Sequence, residues 1–177
     1  MKLSFAEQSN DRPLPADYTG PVLLWDIDKT YLDTHFSSWR GLFSIPFEMA
    51  VDKQPIPGAV ALLRALRRGT ATELSPLYFV SGSPPQLRRV IEHRMTLDGV
   101  QYDGITFKDQ WGLVRAGRRH DVKRQLGYKL KALLAYRAAL PNGAKWWLFG
   151  ADVEADAETF RLFGRVCAGL RGEALDT

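Results

Sequence analysis

The sequence predicts an α/β domain built on a doubly wound, mainly parallel sheet of five strands. Short, nearly continuous apolar runs alternate along the chain with amphipathic stretches at helical spacing, and such runs are typical of parallel strands covered on both faces. This alternation indicates βαβ units with right-handed crossovers. The chain has 177 residues, of which 45% are hydrophobic, so we expect one core and a single domain over residues 1–177.

Four apolar runs are predicted as strands, and a weaker run could add the fifth. The four cover residues 22–28, 76–81, 105–107 and 145–150, and the weaker one covers residues 165–168. Helices are predicted over residues 57–68, 84–95, 128–140 and 154–163. Proline and glycine open the first of these helices and Gly69 ends it, which is the usual placement of these residues at helix ends.

Three segments fall outside this alternation. Residues 1–20 are expected to be a loose lead-in to the first strand. Residues 31–56 are rich in aromatic side chains, and residues 109–127, within the short second insert region 82–128, are rich in basic residues. Because ligands bind outside the carboxyl ends of the strands in open α/β sheets, these two segments are the expected walls of a binding site.

The aromatic segment is predicted to form a flap with a small helical insert. We expect Phe36, Trp39 and Phe43 to pack partly on the body of the domain, close to Asp26. Residues 82–128 have room only for a helix, a strand and a short excursion, so neither segment holds a large cap domain.

Asp26 and Asp28 close the most hydrophobic run of the chain. Because side chains alternate along a strand, we expect both carboxylates on the same side of the backbone. Buried like charges need a cation, a shared proton or both, and such pairs commonly divide the roles of nucleophile and acid/base. A lone D-x-D is also typical of acidic residues at a strand end, so its meaning depends on the motifs that accompany it.

Together with Thr30, the two aspartates form a D-x-D-x-T motif directly after a strand. Over residues 22–169 the sequence resembles the haloacid dehalogenase superfamily, and within it the catalytic domain of a class of phosphatidate phosphatases and related bacterial proteins. The resemblance implies a Rossmannoid sheet with minimal cap insertions. It also implies that Asp26 attacks phosphorus, that Asp28 protonates the leaving group and later activates water, and that Thr30 contributes to phosphate binding.

Two further motifs of the resemblance concern the substrate phosphate. Ser81 and Gly82 lie in the segment YFVSGSPPQL, which is similar to the second motif and is implied to bind the phosphoryl oxygens. Ser83 precedes a proline there and is independently typical of a helix cap. The third motif is a lysine near the start of a later helix; Lys129 fits best by its spacing to the following proline, and Lys131 is the alternative.

The fourth motif normally reads G-D-x-x-x-D or G-D-x-x-x-x-D and supplies a ligand for Mg²⁺, the cofactor that the resemblance implies. Here residues 150–156 read G-A-D-V-E-A-D. In the longer spacing Ala151 replaces the metal-binding aspartate, whereas in the shorter spacing Asp152 takes that place; the sequence permits both. The candidate metal ligands are Asp26, Asp28, Asp152 and Asp156.

The positive charge of the chain favours an anionic partner. The net charge is +4 and the isoelectric point is about 9.3, and many arginines occur in clusters. Solvated helix faces also carry such clusters, so charge alone selects no ligand. In the resembling family, small caps accompany large or surface-presented substrates, so the expected partner is a phosphorylated substrate, with nucleic acid or an acidic lipid surface as candidates.

The composition also bears on location. No stretch approaches the roughly 20 apolar residues that a membrane-spanning helix needs, and the N-terminal residues do not resemble a secretory signal. Cys167 is the single cysteine, so no internal disulfide is expected. We therefore expect a cytoplasmic protein.

The leading hypothesis is a magnesium-dependent phosphatase that hydrolyses phosphomonoesters through an aspartyl-phosphate. One alternative is a catalytically impaired protein of the same fold that binds an anionic partner, which the departure at Ala151 favours. Another is a phosphatase that acts on nucleic-acid ends or phospholipids, which only the basic clusters favour.

Overall fold

The computed structural model describes residues 5–33, 54–69, 73–83, 85–108, 122–152 and 155–169. Within them, one sheet has the strand order β1-β4-β3-β2-β5. The strands are β1 (Phe5–Gln8), β2 (Pro21–Asp26), β3 (Leu77–Ser81), β4 (Gly104–Lys108) and β5 (Lys145–Phe149). The last four are parallel, whereas β1 pairs antiparallel with β4. Because Asp26 pairs with Val80 and Ser81 with Phe107, the carboxyl ends of three strands meet at one edge.

Four of the predicted strands are present, but the prediction for the fifth is wrong. Residues 165–168 belong largely to a helix, Asp156–Cys167, in which the buried Thr159 and Phe163 and the half-buried Val166 recur at spacings of four and three. That spacing places them on one helical face. The fifth strand is β1, which lies within the segment expected to be a loose lead-in.

The described residues include four α-helices and one 3-10 helix, which lie between the strands or, for the last, after β5. They are α1 (Ala59–Arg68), the 3-10 helix Pro85–Leu87, α2 (Arg88–Leu97), α3 (Val122–Ala139) and α4 (Asp156–Cys167). Gly58, with a φ of 84°, precedes α1 in a left-handed conformation that glycine adopts at little cost. In the described part of the chain, no helix combines the length and the apolar character needed to cross a membrane.

The apolar core consists of two clusters that lie on opposite sides of β2. Leu23 and Trp25 belong to the cluster that includes side chains of α1 and α2, whereas Val22 and Leu24 belong to the cluster that includes side chains of α3 and α4. Since successive side chains of a strand point to opposite faces, β2 is covered on both sides. The fold is thus an α/β sheet of four parallel strands with helices, compatible with a Rossmann-like arrangement.

The aromatic segment leaves and rejoins the domain at one point beside the end of β2. The Asp33 amide donates to the Gln54 carbonyl at 3.1 Å, and Leu32 forms backbone bridges with both Asp28 and Pro55. The predicted flap itself, including Phe36, Trp39 and Phe43, lies outside the described residues. Its two ends are therefore fixed next to Asp28.

Candidate active site

Two buried carboxylates share one buried ammonium at the carboxyl end of β2. The Lys129 Nζ lies 2.9 Å from Asp26 Oδ1 and also contacts Asp156 Oδ1. The three residues are 3%, 2% and 1% exposed, respectively. Asp26 ends β2, Lys129 lies in α3, and Asp156 opens α4, where the helix dipole favours an acidic side chain. The fold therefore joins three distant parts of the chain in one ion cluster, and Lys129 rather than Lys131 is the lysine that contacts Asp26.

Burial dominates the electrostatics of Asp26. Loss of hydration raises the pKa of the Asp26 carboxyl well above its ordinary value; the charge of Lys129 opposes this rise, while Asp156 and Asp28 add to it. Two carboxylates contact one ammonium, and the charge of Asp28 acts on Asp26 as well, so negative charge exceeds positive charge around Asp26. The Thr30 hydroxyl donates to Asp26 Oδ2 at 3.3 Å, whereas Asp26 Oδ1 is buried without a hydrogen bond and has Lys129 as its ion-pair partner.

The second aspartate of the motif has different partners from the first. Asp28 Oδ2 accepts hydrogen bonds from the Ser81 hydroxyl and the Gly82 amide, both at 3.1 Å, and Asp28 Oδ1 accepts one from the Ser83 hydroxyl at 3.0 Å. Ser81 and Gly82, for which the resemblance implies contacts with the substrate phosphate, donate to Asp28 in this structure. Ser83, expected only as a helix cap, makes the same kind of contact.

A tight backbone turn follows Asp26 and gives the two aspartates different partners. β2 ends at Asp26, so strand alternation does not extend to Asp28. The Ile27 carbonyl accepts the amides of Tyr31 and Leu32 at 3.0 and 2.9 Å, and Lys29 has a φ of 60°. A non-glycine residue in this left-handed region is strained and is more frequent at functional sites than elsewhere. The turn carries Asp28 towards β3 and leaves Asp26 facing α3.

Tyr128 donates to backbone carbonyls next to the site, a role that was not predicted from the sequence. Its buried hydroxyl lies 2.9 Å from the Ser81 carbonyl and 3.2 Å from the Thr106 carbonyl, so it bridges the end of β3 and the middle of β4. Burial raises the pKa of this phenol well above its ordinary value, which keeps it a hydrogen-bond donor. The sequence signal was weak: an aromatic residue directly before Lys129.

The fourth motif contains a buried aspartate, Asp156, and an exposed one, Asp152. Asp156 Oδ2 accepts the Ala151 amide at 2.9 Å, so Ala151 lies against the ion cluster, whereas Asp152 is exposed. The four aspartates predicted as metal ligands are therefore not assembled together. Within the residues that the structure describes, no group of three or more histidine, cysteine or acidic side chains is arranged to hold a metal ion.

One carboxylate of the site nevertheless fits a sparsely coordinated magnesium ion. Both oxygens of Asp28 and of Asp156 already accept donors, whereas the buried Asp26 Oδ1 has no hydrogen bond and faces the Lys129 ammonium at 2.9 Å. Mg²⁺ often retains several waters and is held by one or two carboxylates together with substrate phosphate. Asp26 is the residue that would hold it.

Gly150 lies so close to Asp156 that a larger residue would displace this aspartate. Substitution of Gly150 therefore tests how tightly Asp156 is packed. A Cβ added at Gly150 would lie 2.6 Å from Asp156 Cβ, a contact that only a shift of Asp156 relieves. We expect Gly150→Ala to lower the free energy of unfolding by about 1–3 kcal/mol, the usual cost of overpacking, measured by urea unfolding.

The matched control is Gly164→Ala within α4. A Cβ there meets nothing within 4 Å, and alanine has the higher helix propensity, so this variant should be neutral or more stable by up to about 1 kcal/mol. Equal stability of Gly150→Ala and the parent protein would contradict the tight packing of Asp156.

Comparisons with known proteins give little beyond this geometry. No family model matches the chain, and no curated protein matches it significantly. Two solved structures are similar to it: "Structure of Pnkp1/Rnl/Hen1 complex", at 13% identity and a TM-score of 0.42, and "Structure of the Pnkp1/Rnl/Hen1 RNA repair complex", at 14% and 0.43. The matches cover 85% and 84% of this chain but 51% and 46% of those chains. The chain thus spans about half the length of the solved chains it matches, and similarity at this level carries no argument about function.

Proposed function

We propose that this chain is a magnesium-dependent phosphatase that hydrolyses phosphomonoesters through an aspartyl-phosphate, in the manner of the haloacid dehalogenase superfamily that its motifs resemble. The proposal includes the doubly wound, Rossmannoid form of the sheet. The observation that carries it is the buried contact of Asp26 with Lys129, next to a second aspartate held by the end of the neighbouring strand. A structural ion pair alone has no need for Asp28 beside it.

Each residue of the site has a role in this reaction. Asp26 is the nucleophile, and its contact with Lys129 favours the ionised form that attacks phosphorus. Lys129 also offsets negative charge on the phosphoryl group, and Asp156 holds Lys129 from the other side. Mg²⁺ held at Asp26 would supply further positive charge to the phosphoryl oxygens.

The acid/base step belongs to Asp28. Proton transfer by a positioned side chain contributes roughly 10²- to 10⁴-fold to a rate. Thr30, Ser81 and Gly82 line the same edge and are proposed to share their donors with the phosphate while they hold Asp26 and Asp28. The substrate is proposed to be large or surface-presented, with nucleic-acid ends and phospholipids as its candidate classes.

A phosphate-release screen tests the proposal. Phospholipids, nucleotides, polynucleotide ends, sugar phosphates and phosphopeptides are incubated with the protein and Mg²⁺, beside the Asp26→Asn variant. Release that depends on both Mg²⁺ and Asp26 supports the proposal. Release from no substrate, together with tight retention of a phosphorylated polymer or vesicle, would favour the alternative of an impaired enzyme that binds an anionic partner.

Restoring the missing carboxylate should separate the two spacings of the fourth motif. Ala151 is half-buried against Asp156 whereas Asp152 is exposed, which favours the longer spacing. We expect Ala151→Asp to raise the affinity for Mg²⁺ by at least the roughly 10-fold that outer-shell partners of a metal contribute, measured by titration calorimetry.

Asp152→Ala is the comparison, and it should change the affinity little. Loss of binding in Asp152→Ala without a gain in Ala151→Asp would instead support the shorter spacing. No binding in the parent protein or in either variant would contradict the role of magnesium.

A further inference from the structure

Ser83 is the buried hydroxyl of the site that the resemblance leaves without a role. Its Oγ lies 3.0 Å from Asp28 Oδ1 and 3.2 Å from Oδ2, and the residue is 2% exposed. We propose that Ser83 is a positioning residue, which holds the Asp28 carboxyl so that Oδ1 is the oxygen that gives and takes the proton. This inference rests on the proposed phosphatase reaction.

The two oxygens of Asp28 differ in what faces them. Oδ2 accepts hydrogen bonds from the Gly82 amide, which can only donate, and from the Ser81 hydroxyl, and it lies 3.2 Å from the Ser83 hydroxyl. Ser81 Oγ also accepts the Ser83 amide at 3.0 Å, so its own proton remains for Asp28. A proton on Oδ2 would therefore meet the Gly82 amide, which cannot reverse its role, and would displace the hydrogen bond from Ser81.

Oδ1 faces a partner that can reverse its role. The Ser83 hydroxyl donates to Oδ1 when Asp28 is ionised, and it can rotate and accept when Oδ1 carries a proton. The backbone of Ser83 is held at the end of β4, because its carbonyl accepts the Lys108 amide at 3.3 Å. Ser83 thus tolerates both states of Asp28 while it limits rotation of the carboxyl group, a torsion that is otherwise loosely restrained.

The proton balance of the reaction follows from this assignment. In the first step an Asp26 oxygen bonds to phosphorus, the bond from phosphorus to the leaving oxygen breaks, and that oxygen takes the proton from Asp28 Oδ1. In the second step water bonds to phosphorus, the bond to Asp26 breaks, and the proton of the water returns to Asp28 Oδ1. Phosphate leaves and both carboxyl groups regain their starting states.

Leaving-group dependence distinguishes this role from a merely structural one. p-Nitrophenolate leaves readily without a proton, whereas the alkoxide of β-glycerol phosphate needs one. We expect Ser83→Ala to lower kcat for β-glycerol phosphate by about 10- to 100-fold, part of what a general acid contributes. For p-nitrophenyl phosphate we expect a loss of less than about 3-fold, with KM for both substrates little changed.

The controls keep the outcomes distinct. Ser75→Ala removes a buried serine near the opposite end of β3 and should leave both rates unchanged. If Ser83→Ala does not fold, Ser83→Cys weakens the same contact instead of removing it, so the same difference between the two substrates is expected at a smaller size. Equal losses for the two substrates, or no loss for either, would overturn the role of Ser83. Absence of turnover in the parent protein, or turnover that survives Asp26→Asn, would overturn the proposed function itself and this inference with it.

Discussion

Asp26→Asn should reduce phosphate release by a factor on the order of 10⁶, the size expected when a nucleophile is removed. The variant loses the attacking oxygen and the carboxylate that would hold Mg²⁺, but it keeps the shape of the side chain. Lys129 keeps its contact with Asp156, so no buried ammonium is left without a carboxylate. The free energy of unfolding at neutral pH should therefore be unchanged or higher, because burial disfavours the charge that the substitution removes.

Phosphate release and urea unfolding are both measured on this variant. Asp17→Asn makes the same chemical change at an exposed position and should match the parent protein in both measurements. Activity of Asp26→Asn within about 10-fold of the parent protein would exclude an aspartyl-phosphate on this residue.

Lys129→Met should have the largest effect on stability. It leaves Asp26 and Asp156 buried without their shared ammonium, and breaking a buried ion pair from one side typically costs about 3–5 kcal/mol. Lys129 opposes the rise in the pKa of Asp26, so its removal raises that pKa further. The acidic limb of any remaining activity should move to higher pH, since the nucleophile must be ionised.

The stability of this variant should also acquire a steeper pH dependence. A carboxyl whose pKa is raised in the folded state contributes stability that is fully present below its ordinary pKa of 3.8 and is lost as the pH rises through the folded-state value. The loss of unfolding free energy should therefore be greater at pH 8 than at pH 5, measured in urea without metal. Lys131→Met, two residues away on the same helix, is the control; an equal effect of the two variants would contradict the assignment of Lys129.

The parts of the site that could be predicted lie close to one another in sequence or at the end of an apolar run. Asp26 is the last residue of a strand that its apolar residues predict, and Lys129 has a recognisable spacing to the proline that follows its helix. The partners of Asp28 were missed because Ser81 and Ser83 lie 53 and 55 residues away. Contacts of this kind depend on strand register, which local pattern does not reveal.

The errors in the predicted fold have a similar origin. The apolar character of residues 165–168 fits a short strand as well as the last turn of a helix, and only burial of Phe163 against the sheet favours the helix. Phe5–Gln8 forms a strand because it pairs with the edge of β4. The composition of these four residues does not predict that pairing. The choice between Ala151 and Asp152 likewise depends on a backbone contact of Asp156.

The backbone pairing of Asp33 with Gln54 joins the two ends of the segment between them, so the length of that segment can vary at little cost to the fold. Since the cost of closing a loop grows only with the logarithm of its length, a segment that starts and finishes at one paired stem can be lengthened, shortened or exchanged cheaply. The stem itself, through Leu32 and Asp28, stays in register with the strand that ends at Asp26. A new segment inserted between Asp33 and Gln54 should therefore leave the carboxylates undisturbed, which makes this stem the natural place to add a binding element by design.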